Sequence, residues 1–582
     1  MQNSCLNSKK IVLSLAAISF SASCTHATLT PEIETYEEAN RHAKARSGSR
    51  SKSSTNEAIN NLQTSTKTIS STGNTLVIES GGTITISNGQ AVNFTQGSST
   101  STFLNKGTLI GGNNAASVQL GGANNNNGAT IETFDNQGII GNGSSKFGVT
   151  VWGTDSSKST INNFSNSGTI HSNTGESIYF GNANISSFAN SGTIKSNQGA
   201  GVNISRGTSI ENFNNTGTIE GKKDGIQINT NANVKTLINK GTIEGHAISI
   251  RSLGGTIETL TNEGIMSGKS AGIYMSGGRV KTLINKGTIN HTDSSVGWGA
   301  GIKLENGSTI ENIINTGTVN SNSFGIAVTH GKFGTLTIKD GGMVYGKYEG
   351  IGVGQWQTLG DLYIDGSSSN GTVSGIYSDQ RGISLDANSR TQKIELKNGG
   401  IIKGKVHGIR LDNGASLSGE MILSGEGSRV EGGSGAGILN RSGKIEGSIT
   451  IKNGATVTAT SNLAIVNYRS GSITGGITVS GKNTKLEGNI INTGNASIGS
   501  DIKIEGGAKV EGGLVNQGNG SISGSVQVSG GSSIDSITNE GNGAISGSIT
   551  VDKDSKLDSI TNTSTSSTGI SGSITNNSDN KL

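Results

Sequence analysis

The sequence returns to one short motif at a nearly fixed interval. The motif reads Asn-x-Gly-Thr-Ile or a close variant. The glycine of the motif recurs after 31, 30, 24, 25, 24, 23, 23 and 30 residues. A period of about 20 to 50 residues is typical of solenoids, propellers and tandem arrays. The motif asparagines are Asn105, Asn136, Asn166, Asn190, Asn215, Asn239, Asn262, Asn285 and Asn315.

Three apolar columns appear when the repeats are aligned on the motif glycine. One lies seven residues before the glycine, one four residues before it and one two residues after it, as in Ile257, Leu260 and Met266. The first two columns are separated by three residues, and strict strand alternation cannot place both side chains inside. We therefore expect a corner or bulge between them.

Each repeat continues with a Gly- or Ala-led apolar pair, as in residues 225–228 (Gly-Ile-Gln-Ile), so one repeat supplies about three short strands. This pattern predicts an all-β fold, a right-handed parallel β-helix of about 20 rungs with about 23–31 residues per rung. We expect the motif asparagines to stack as an amide ladder. We expect the motif glycine to take a positive φ.

A charged column offers a separate test of stacking. Six residues before the motif glycine, successive repeats carry side chains of alternating sign, and adjacent rungs would bring opposite charges together. The residues are Glu211, Lys235, Glu258, Lys281 and Glu311.

The N-terminus has the pattern of an export signal. Lys9 and Lys10 precede the apolar run 11–20, and small residues lead to a cleavage site after Ala27. Lipid modification of Cys24 is the alternative. Both cysteines lie in this leader, and no later segment is apolar enough to span a membrane, so we expect the mature chain to have neither a disulfide nor a transmembrane segment.

The change of pattern along the chain predicts seven segments. They are a signal peptide (1–27), a polar and largely disordered segment (28–74), a β cap (75–103), regular β-helix repeats (104–329), a less regular β-helix (330–490), regular repeats again (491–575) and a tail (576–582).

The composition favours a chain of β-strands and tight turns and argues against a nucleic-acid-binding protein. The chain of 582 residues has 92 glycines and one proline, which suits uninterrupted backbone ladders with many tight turns. Its net charge of +4 is weak for this length, so we expect no nucleic-acid partner.

One segment matches a catalytic motif. Residues 268–272 (Gly-Lys-Ser-Ala-Gly) fit the G-x-S-x-G nucleophile elbow, which needs a strand-to-helix turn. No helical pattern follows, and other repeats fill the same position without serine. We therefore expect no catalytic residue here and a non-enzymatic protein, although an acid-base cluster could be hidden in the less regular segment 330–490.

The histidines after the leader fall in different columns and on different rungs. Metal sites need several ligands that converge in space. We therefore expect these histidines to be exposed, and predict no metal ion and no cofactor. They are His42, His171, His246, His291, His330 and His407.

The longest insertion between strands runs from Asn290 to Ala300. It contains His291, Asp293 and Trp298. Insertions on one side of a solenoid are frequent binding sites, and an exposed tryptophan is a typical contact residue. These three residues are therefore the predicted contact loop, with a neutral surface loop as the alternative.

A signal peptide followed by tandem Asn-x-Gly-Thr-Ile rungs resembles the passenger regions of autotransporters. The resemblance covers roughly residues 75–575 and is greatest to the toxin-like surface proteins related to the vacuolating cytotoxin of Helicobacter and Campylobacter relatives. It implies export across the outer membrane, followed by surface display or release. The function it implies is adhesion, with host cells or other bacteria as partners. A toxin-like passenger and a carbohydrate-active β-helix enzyme are the alternatives.

Two features depart from the family. Complete autotransporters end in a translocating β-barrel, whereas residues 576–582 still read as repeat. We therefore expect a truncated chain, or a translocator supplied elsewhere, with a periplasmic location if there is none. The polar segment 28–70 also differs from the apolar segment of the pore-forming members, so pore formation is not implied.

Overall fold

The computed structural model describes residues 56–122, 128–295, 297–367 and 371–579. They form a parallel β-solenoid of about 20 turns, and the described residues contain no helix. Most turns supply three strands, one to each of three faces, and each strand pairs in parallel with its equivalents on the neighbouring turns. The predicted parallel β-helix is confirmed. The leader, with Cys24, Ala27 and His42, lies outside the described residues.

Face 1 is the sheet that carries the motif asparagines. Its strands are Asn56–Ile59, Thr72–Ile78, Ser99–Asn105, Thr130–Asn136, Ser159–Asn166, Ala183–Asn190, Ser209–Asn215, Asn233–Asn239, Thr256–Asn262, Arg279–Asn285, Ser308–Asn315, Gly331–Ile338, Thr358–Asp365, Arg390–Lys397, Ser416–Leu417, Met421–Ser424, Lys444–Ile445, Ile449–Lys452, Ser472–Ile473, Ile477–Ser480, Ser497–Ile498, Ile502–Glu505, Ser521–Ile522, Val526–Val528, Ala544–Ile545, Ile549–Val551 and Ile574–Asn576.

Faces 2 and 3 follow face 1 in each turn. Face 2 consists of Leu62–Gln63, Thr83–Thr85, Thr108–Ile110, Ile139–Ile140, Thr169–Ser172, Thr193–Ser196, Thr218–Gly221, Thr242–Gly245, Ile265–Gly268, Thr288–His291, Thr318–Ser321, Met343–Gly346, Gly375–Ser378, Ile401–Gly404 and Arg429–Gly432. Face 3 consists of Lys67–Ile69, Val92–Phe94, Ala116–Leu120, Phe147–Trp152, Ile178–Gly181, Val202–Ile204, Asp224–Asn229, Ile248–Leu253, Ala271–Ser276, Ala300–Glu305, Phe324–Val328, Glu349–Val353, Arg381–Leu385, His407–Asp412 and Ile438–Arg441. From Thr456 onward one long strand per turn covers both faces: Thr456–Arg469, Lys485–Gly494, Lys509–Gly518, Ser533–Asn539 and Lys556–Asn562.

The three apolar columns form the core. Ile257, Leu260 and Met266 are completely buried, and their equivalents on neighbouring rungs are buried as well. The residue after the first column is skipped in the strand pairing, since Ile257 pairs with Val280 and Thr259 with Thr282 while Glu258 has no register partner. This irregularity lets two columns three residues apart both point inward, as predicted.

The motif asparagines stack into a buried amide ladder, which confirms the prediction. Each Nδ2 donates to the Oδ1 of the next asparagine at 2.6–2.9 Å, in eight consecutive steps from Asn105 to Asn315. The same Nδ2 also lies close to backbone carbonyls, as in the 3.2 Å bond from Asn239 to Gly241 O. Buried polar groups are costly unless paired, and the ladder pairs them along the axis.

The predicted positive φ of the motif glycines is wrong. None of the nine motif glycines from Gly107 to Gly317 has a positive φ. Glycine is required instead by close backbone approach, because a Cβ at each position would lie closer than 3.0 Å to the carbonyl oxygen of the preceding rung's glycine. At Gly241 that oxygen belongs to Gly217. The glycines therefore set how closely the turns stack.

The less regular middle of the chain remains within the same solenoid. After Asn315 the ladder position on face 1 is taken by Ile338, Ile364 and Leu396, which pair in register and are completely buried. Apolar side chains fill the corner here in place of the amide ladder. The motif therefore disappears from the sequence while the strand stacking continues.

A second asparagine ladder begins at Asn440. Its Nδ2–Oδ1 bonds measure 2.8–2.9 Å and continue through Asn467, Asn492, Asn516 and Asn539 to Asn562. These asparagines lie within the last three residues of a face 3 strand or of the long strands that continue it, whereas those of the first ladder end strands of face 1. The motif that returns in the sequence thus lies at a different corner of the solenoid.

The alternating charges form fewer ion pairs than the column predicts. Lys235 Nζ lies 2.9 Å from Glu211 Oε2, but Glu311 instead accepts a 2.7 Å hydrogen bond from Arg279 Nε. Among the described residues, Lys281 forms no ion pair with Glu258 or Glu311. These side chains lie on the skipped position and are exposed or half-buried, so such pairs contribute little to stability.

The solenoid begins before the boundary predicted at residue 75. Asn56–Ile59 already pairs with Thr75–Ile78 in register, and Lys67–Ile69 pairs with Val92–Phe94. Polar composition hid these first strands. None of the described residues belongs to a helix that could cross a membrane.

Candidate functional site

The three residues of the predicted contact loop differ in burial: His291 is buried, Asp293 is half-buried and Trp298 is exposed. His291 is 1% exposed and ends a face 2 strand, in register with Gly268 and Ser321. Its Nδ1 lies 2.9 Å from Ser321 Oγ, and burial lowers its pKa. The prediction that His291 is exposed and contacts a partner is therefore wrong, since the imidazole packs inside its own loop, in the space that Gly299 leaves by having no side chain.

Asp293 has a local structural role. Its Oδ1 accepts hydrogen bonds from the backbone N of Ser295 at 2.8 Å and from Ser295 Oγ at 2.6 Å. These bonds lower the pKa of the carboxyl group. Asp293 therefore fixes the turn that leads to Trp298.

Trp298 projects from the loop and is 63% exposed. Its indole stacks on the ring of Phe324, with ring centres 5.4 Å apart and planes 7° apart. A second tryptophan, Trp356, is 67% exposed and lines the same groove, whose volume is about 680 Å³. This volume lies within the range of about 300–1,000 Å³ that is typical of ligand sites.

The groove lies at the C-terminal ends of the face 3 strands. Glu305 ends its strand, and the residues that directly follow the next three face 3 strands, Thr329, Gly354 and Asp386, line the groove with it. The ends of the strands thus form one side of the groove, and the loops supply its tryptophans.

Trp356 was not identified from the sequence. It lies in the turn after Glu349–Val353, and its φ of 66° is in the left-handed region that residues other than glycine rarely adopt. The backbone is held by a 3.2 Å bond from Trp356 N to Ala387 O. A bulky residue in this conformation marks a place where local structure is constrained.

A cluster of charged groups lies beside the groove. Glu349 is 7% exposed and accepts a 2.7 Å hydrogen bond from Arg381 Nη1, and its Oε2 lies over Gly352 of the same strand. Burial raises the pKa of Glu349 to about 7 against the effect of Arg381, and the nearby Asp386 raises it further. Arg381 stacks in register on His407. These charged residues lie in segment 330–490 and come from separate rungs. Their clustering is therefore not visible in the sequence.

His407 continues the same column. Its Nδ1 accepts a 2.9 Å hydrogen bond from the backbone N of Ala436. Burial, together with the positive charges of Arg410 and Arg381, lowers the pKa of His407 to about 4. The imidazole is therefore neutral at physiological pH and acts as an acceptor. The prediction of an exposed histidine is wrong here too, because His407 is half-buried.

Glu349 and His407 make opposite contributions to the pH dependence of stability. A folded-state pKa of about 7, above the ordinary 4.5, means that the Glu349 contribution is largest below pH 4.5 and is lost as pH rises towards 7. The His407 contribution is present above pH 6.5 and is lost as pH falls towards 4. The two slopes oppose each other between about pH 4.5 and 6.5.

Glu349→Gln should therefore stabilise the protein relative to wild type increasingly as pH rises from 4.5 to 7. The expected gain across this range is up to roughly 3 kcal/mol, since each pH unit between folded and unfolded pKa is worth about 1.4 kcal/mol. Urea unfolding at several pH values measures it, with the exposed Glu426→Gln as a matched control. A difference between wild type and Glu349→Gln that does not change with pH would show that the carboxyl is not buried as described.

The other sequence motifs form no site in the described residues. Residues 268–272 end one strand and begin the next, and Ser270 N donates a 2.7 Å bond to Ala247 O. The described residues hold no group of three His, Cys, Asp or Glu side chains that could bind a metal ion.

Comparison with protein-family models, with curated proteins and with solved structures found no match.

Proposed function

We propose that this protein is an exported β-solenoid, displayed on the bacterial surface or released, that binds a host cell or another bacterial cell without catalysis. The groove between Trp298 and Trp356 carries the proposal, because it places two exposed indoles on one face of a structure otherwise built from repeated positions. Tryptophan is enriched among residues that dominate binding energy. The leader pattern of residues 1–27 supports export.

The rest of the solenoid supports this division of roles. Asparagine and glycine recur on successive rungs. The asparagine side chains hydrogen-bond to the next rung, and the glycines pack against carbonyl groups of the preceding rung. The groups at these positions are occupied by contacts within the solenoid, so they offer few free contacts to a partner. Exposed large apolar side chains are expected where a partner covers them, and the two tryptophans satisfy this condition.

Replacing either Trp298 or Trp356 by alanine should weaken binding to target cells at least tenfold, because each indole would lose a contact in the centre of the interface. Binding of purified, labelled protein to cultured epithelial cells and to bacteria measures this. Trp152→Ala is the matched control, since Trp152 packs on Tyr179 of another turn at 4.4 Å. Circular dichroism checks that all variants stay folded.

Undiminished cell binding by both groove variants would place the contact surface elsewhere. An absence of binding by the folded wild-type protein to every cell type tested would reject the adhesive function itself.

A carbohydrate-active enzyme is the second candidate, and Glu349 favours it. A carboxyl group with a raised pKa beside a second carboxyl is the arrangement that glycoside hydrolases use. Glu349 has this raised pKa, and Asp386 lies near it and lines the groove. Incubation with a polysaccharide panel tests this: products released by wild type and lost in Glu349→Gln would support catalysis. A panel without products would reject it.

A further inference from the structure

We propose that the groove between Trp298 and Trp356 binds a neutral oligosaccharide whose sugar rings stack on the two indoles. The inference rests on the proposed function and specifies the chemical class of the ligand.

The two tryptophans present flat apolar surfaces to solvent. One face of Trp298 rests on Phe324, so the ring is held in place and its other face is free to receive a ligand. Trp356 is held outward on a left-handed backbone. A pyranose ring has one face of C–H groups that packs on an aromatic plane, while its hydroxyl groups project sideways. Rigid, exposed indoles therefore match a sugar ring in shape and polarity.

The rest of the lining offers hydrogen-bonding groups that suit hydroxyls. Gln355 and Gln357 flank Trp356, and Gln357 Nε2 donates to Gln355 O at 2.8 Å. Thr329 Oγ1 lies 3.2 Å from Glu305 Oε1 on the side formed by the strand ends. Amides and hydroxyls can both donate to and accept from a sugar hydroxyl, and carboxylates accept from it. A few placed polar groups among aromatic walls are typical of small-molecule sites.

The charges of the lining favour a neutral ligand. Lys303 Nζ lies 2.7 Å from Glu305 Oε1, so its charge is already paired within the protein. Asp386 adds a further carboxyl group. An acidic sugar, a sulfate or a phosphate would meet these carboxylates, and the described lining residues include no unpaired lysine or arginine to offset them. Such like-charge contact opposes binding.

A peptide is a weaker match to this groove. The face 3 strands at the side of the groove are hydrogen-bonded to neighbours on both sides, so they offer no free edge for an added strand. A proline-rich peptide could still dock on the indoles, and the test includes it as a separate ligand.

The groove is long enough for more than one sugar ring. Trp298 precedes Ala300–Glu305 and Trp356 follows Glu349–Val353, with one further strand between them. At about 4.8 Å per rung the two strands lie roughly 10 Å apart along the axis. The indoles therefore occupy opposite ends of the groove, where two rings of one oligosaccharide can stack.

Titration of the full-length protein with defined oligosaccharides tests the proposal. The neutral probes are chitohexaose, cellohexaose, maltohexaose and lacto-N-tetraose; the acidic probes are sialyllactose and a heparin hexasaccharide; the peptide probe is decaproline. Calorimetry and tryptophan fluorescence give the affinity and report on the indoles. We expect saturable binding of at least one neutral probe, at least tenfold weaker in Trp298→Ala and in Trp356→Ala. Trp356→Phe should retain most of the affinity, and Trp152→Ala should not change it.

Other outcomes would overturn the ligand class. These are binding of only the acidic sugars or decaproline, no binding of any neutral probe, or neutral-sugar binding that survives both alanine substitutions. Periodate treatment of target cells separates this inference from the proposed function. If cell binding depends on both tryptophans but survives periodate, the adhesive function stands and the sugar proposal fails.

Discussion

Replacement of Gly241 by alanine is expected to lower the free energy of unfolding by at least about 3 kcal/mol. A Cβ at this position would lie closer than 3.0 Å to the carbonyl oxygen of Gly217 and to the carbonyl carbon of Thr216. Both are backbone atoms, so no side-chain rotation can relieve the clash and the two turns must separate locally. Because each turn contacts only its neighbours, hydrogen exchange should increase most in the strands Asn233–Asn239 and Thr242–Gly245.

Gly499→Ala is the matched control for this substitution. Gly499 is exposed and has no positive φ, and a Cβ there would only make ordinary contact, 3.6 Å from Thr474 Cα. We expect its effect to remain within about 0.5 kcal/mol. Urea unfolding of both variants gives the comparison. Equal stability of Gly241→Ala and Gly499→Ala would show that the motif glycines do not set the stacking distance.

Replacement of Asn239 by leucine should cost about 3 kcal/mol or more. Asn239 is completely buried; it accepts a 2.8 Å bond from Asn215 Nδ2 and donates a 2.9 Å bond to Asn262 Oδ1. Leucine has a similar volume but removes one ladder bond from each neighbour: Asn262 Oδ1 loses its donor, and Asn215 Nδ2 keeps only its longer contacts to backbone carbonyls, at 3.1 and 3.3 Å. A buried group left unsatisfied costs about 1–3 kcal/mol. The midpoint of urea unfolding measures the loss.

The end of the second ladder supplies the control for Asn239. Asn562 is exposed and accepts one ladder bond, 2.9 Å from Asn539 Nδ2. Asn562→Leu should therefore cost only about 1 kcal/mol. A loss at Asn239 as small as that at Asn562 would contradict the role of the ladder as a continuous buried network.

The fold was predictable because each structural position of a solenoid recurs in every repeat of its sequence. Ile257, Leu260 and Met266 repeat at fixed offsets from the motif glycine, and burial in a common core explains the pattern. The reason for the glycine itself was not predictable. A positive φ and a close backbone approach both exclude a side chain, and only the position of the neighbouring rung distinguishes them.

The groove was only partly predictable for the same reason. Trp298 was found because it lies in the longest insertion, but His291 in the same loop points inward. Trp356 and Glu349 lie on a later rung and carry no motif. Their proximity to Trp298 depends on the register between rungs of unequal length. This register cannot be derived from the sequence where the motif disappears.

Engineered disulfides measure that register most directly. In a chain with Cys5 and Cys24 changed to serine, Thr236→Cys and Thr259→Cys place two sulfurs on register partners of adjacent rungs. Neighbouring strands lie about 4.8 Å apart, within the Cα separation of about 4.4–6.8 Å that a disulfide requires. The pair Thr236→Cys and Thr282→Cys lies two rungs apart, roughly 10 Å, and is the control. We expect mild oxidation to close the first pair and to leave the second open. Closure of the second pair in preference to the first, or of neither, would contradict the stacking of one repeat per rung.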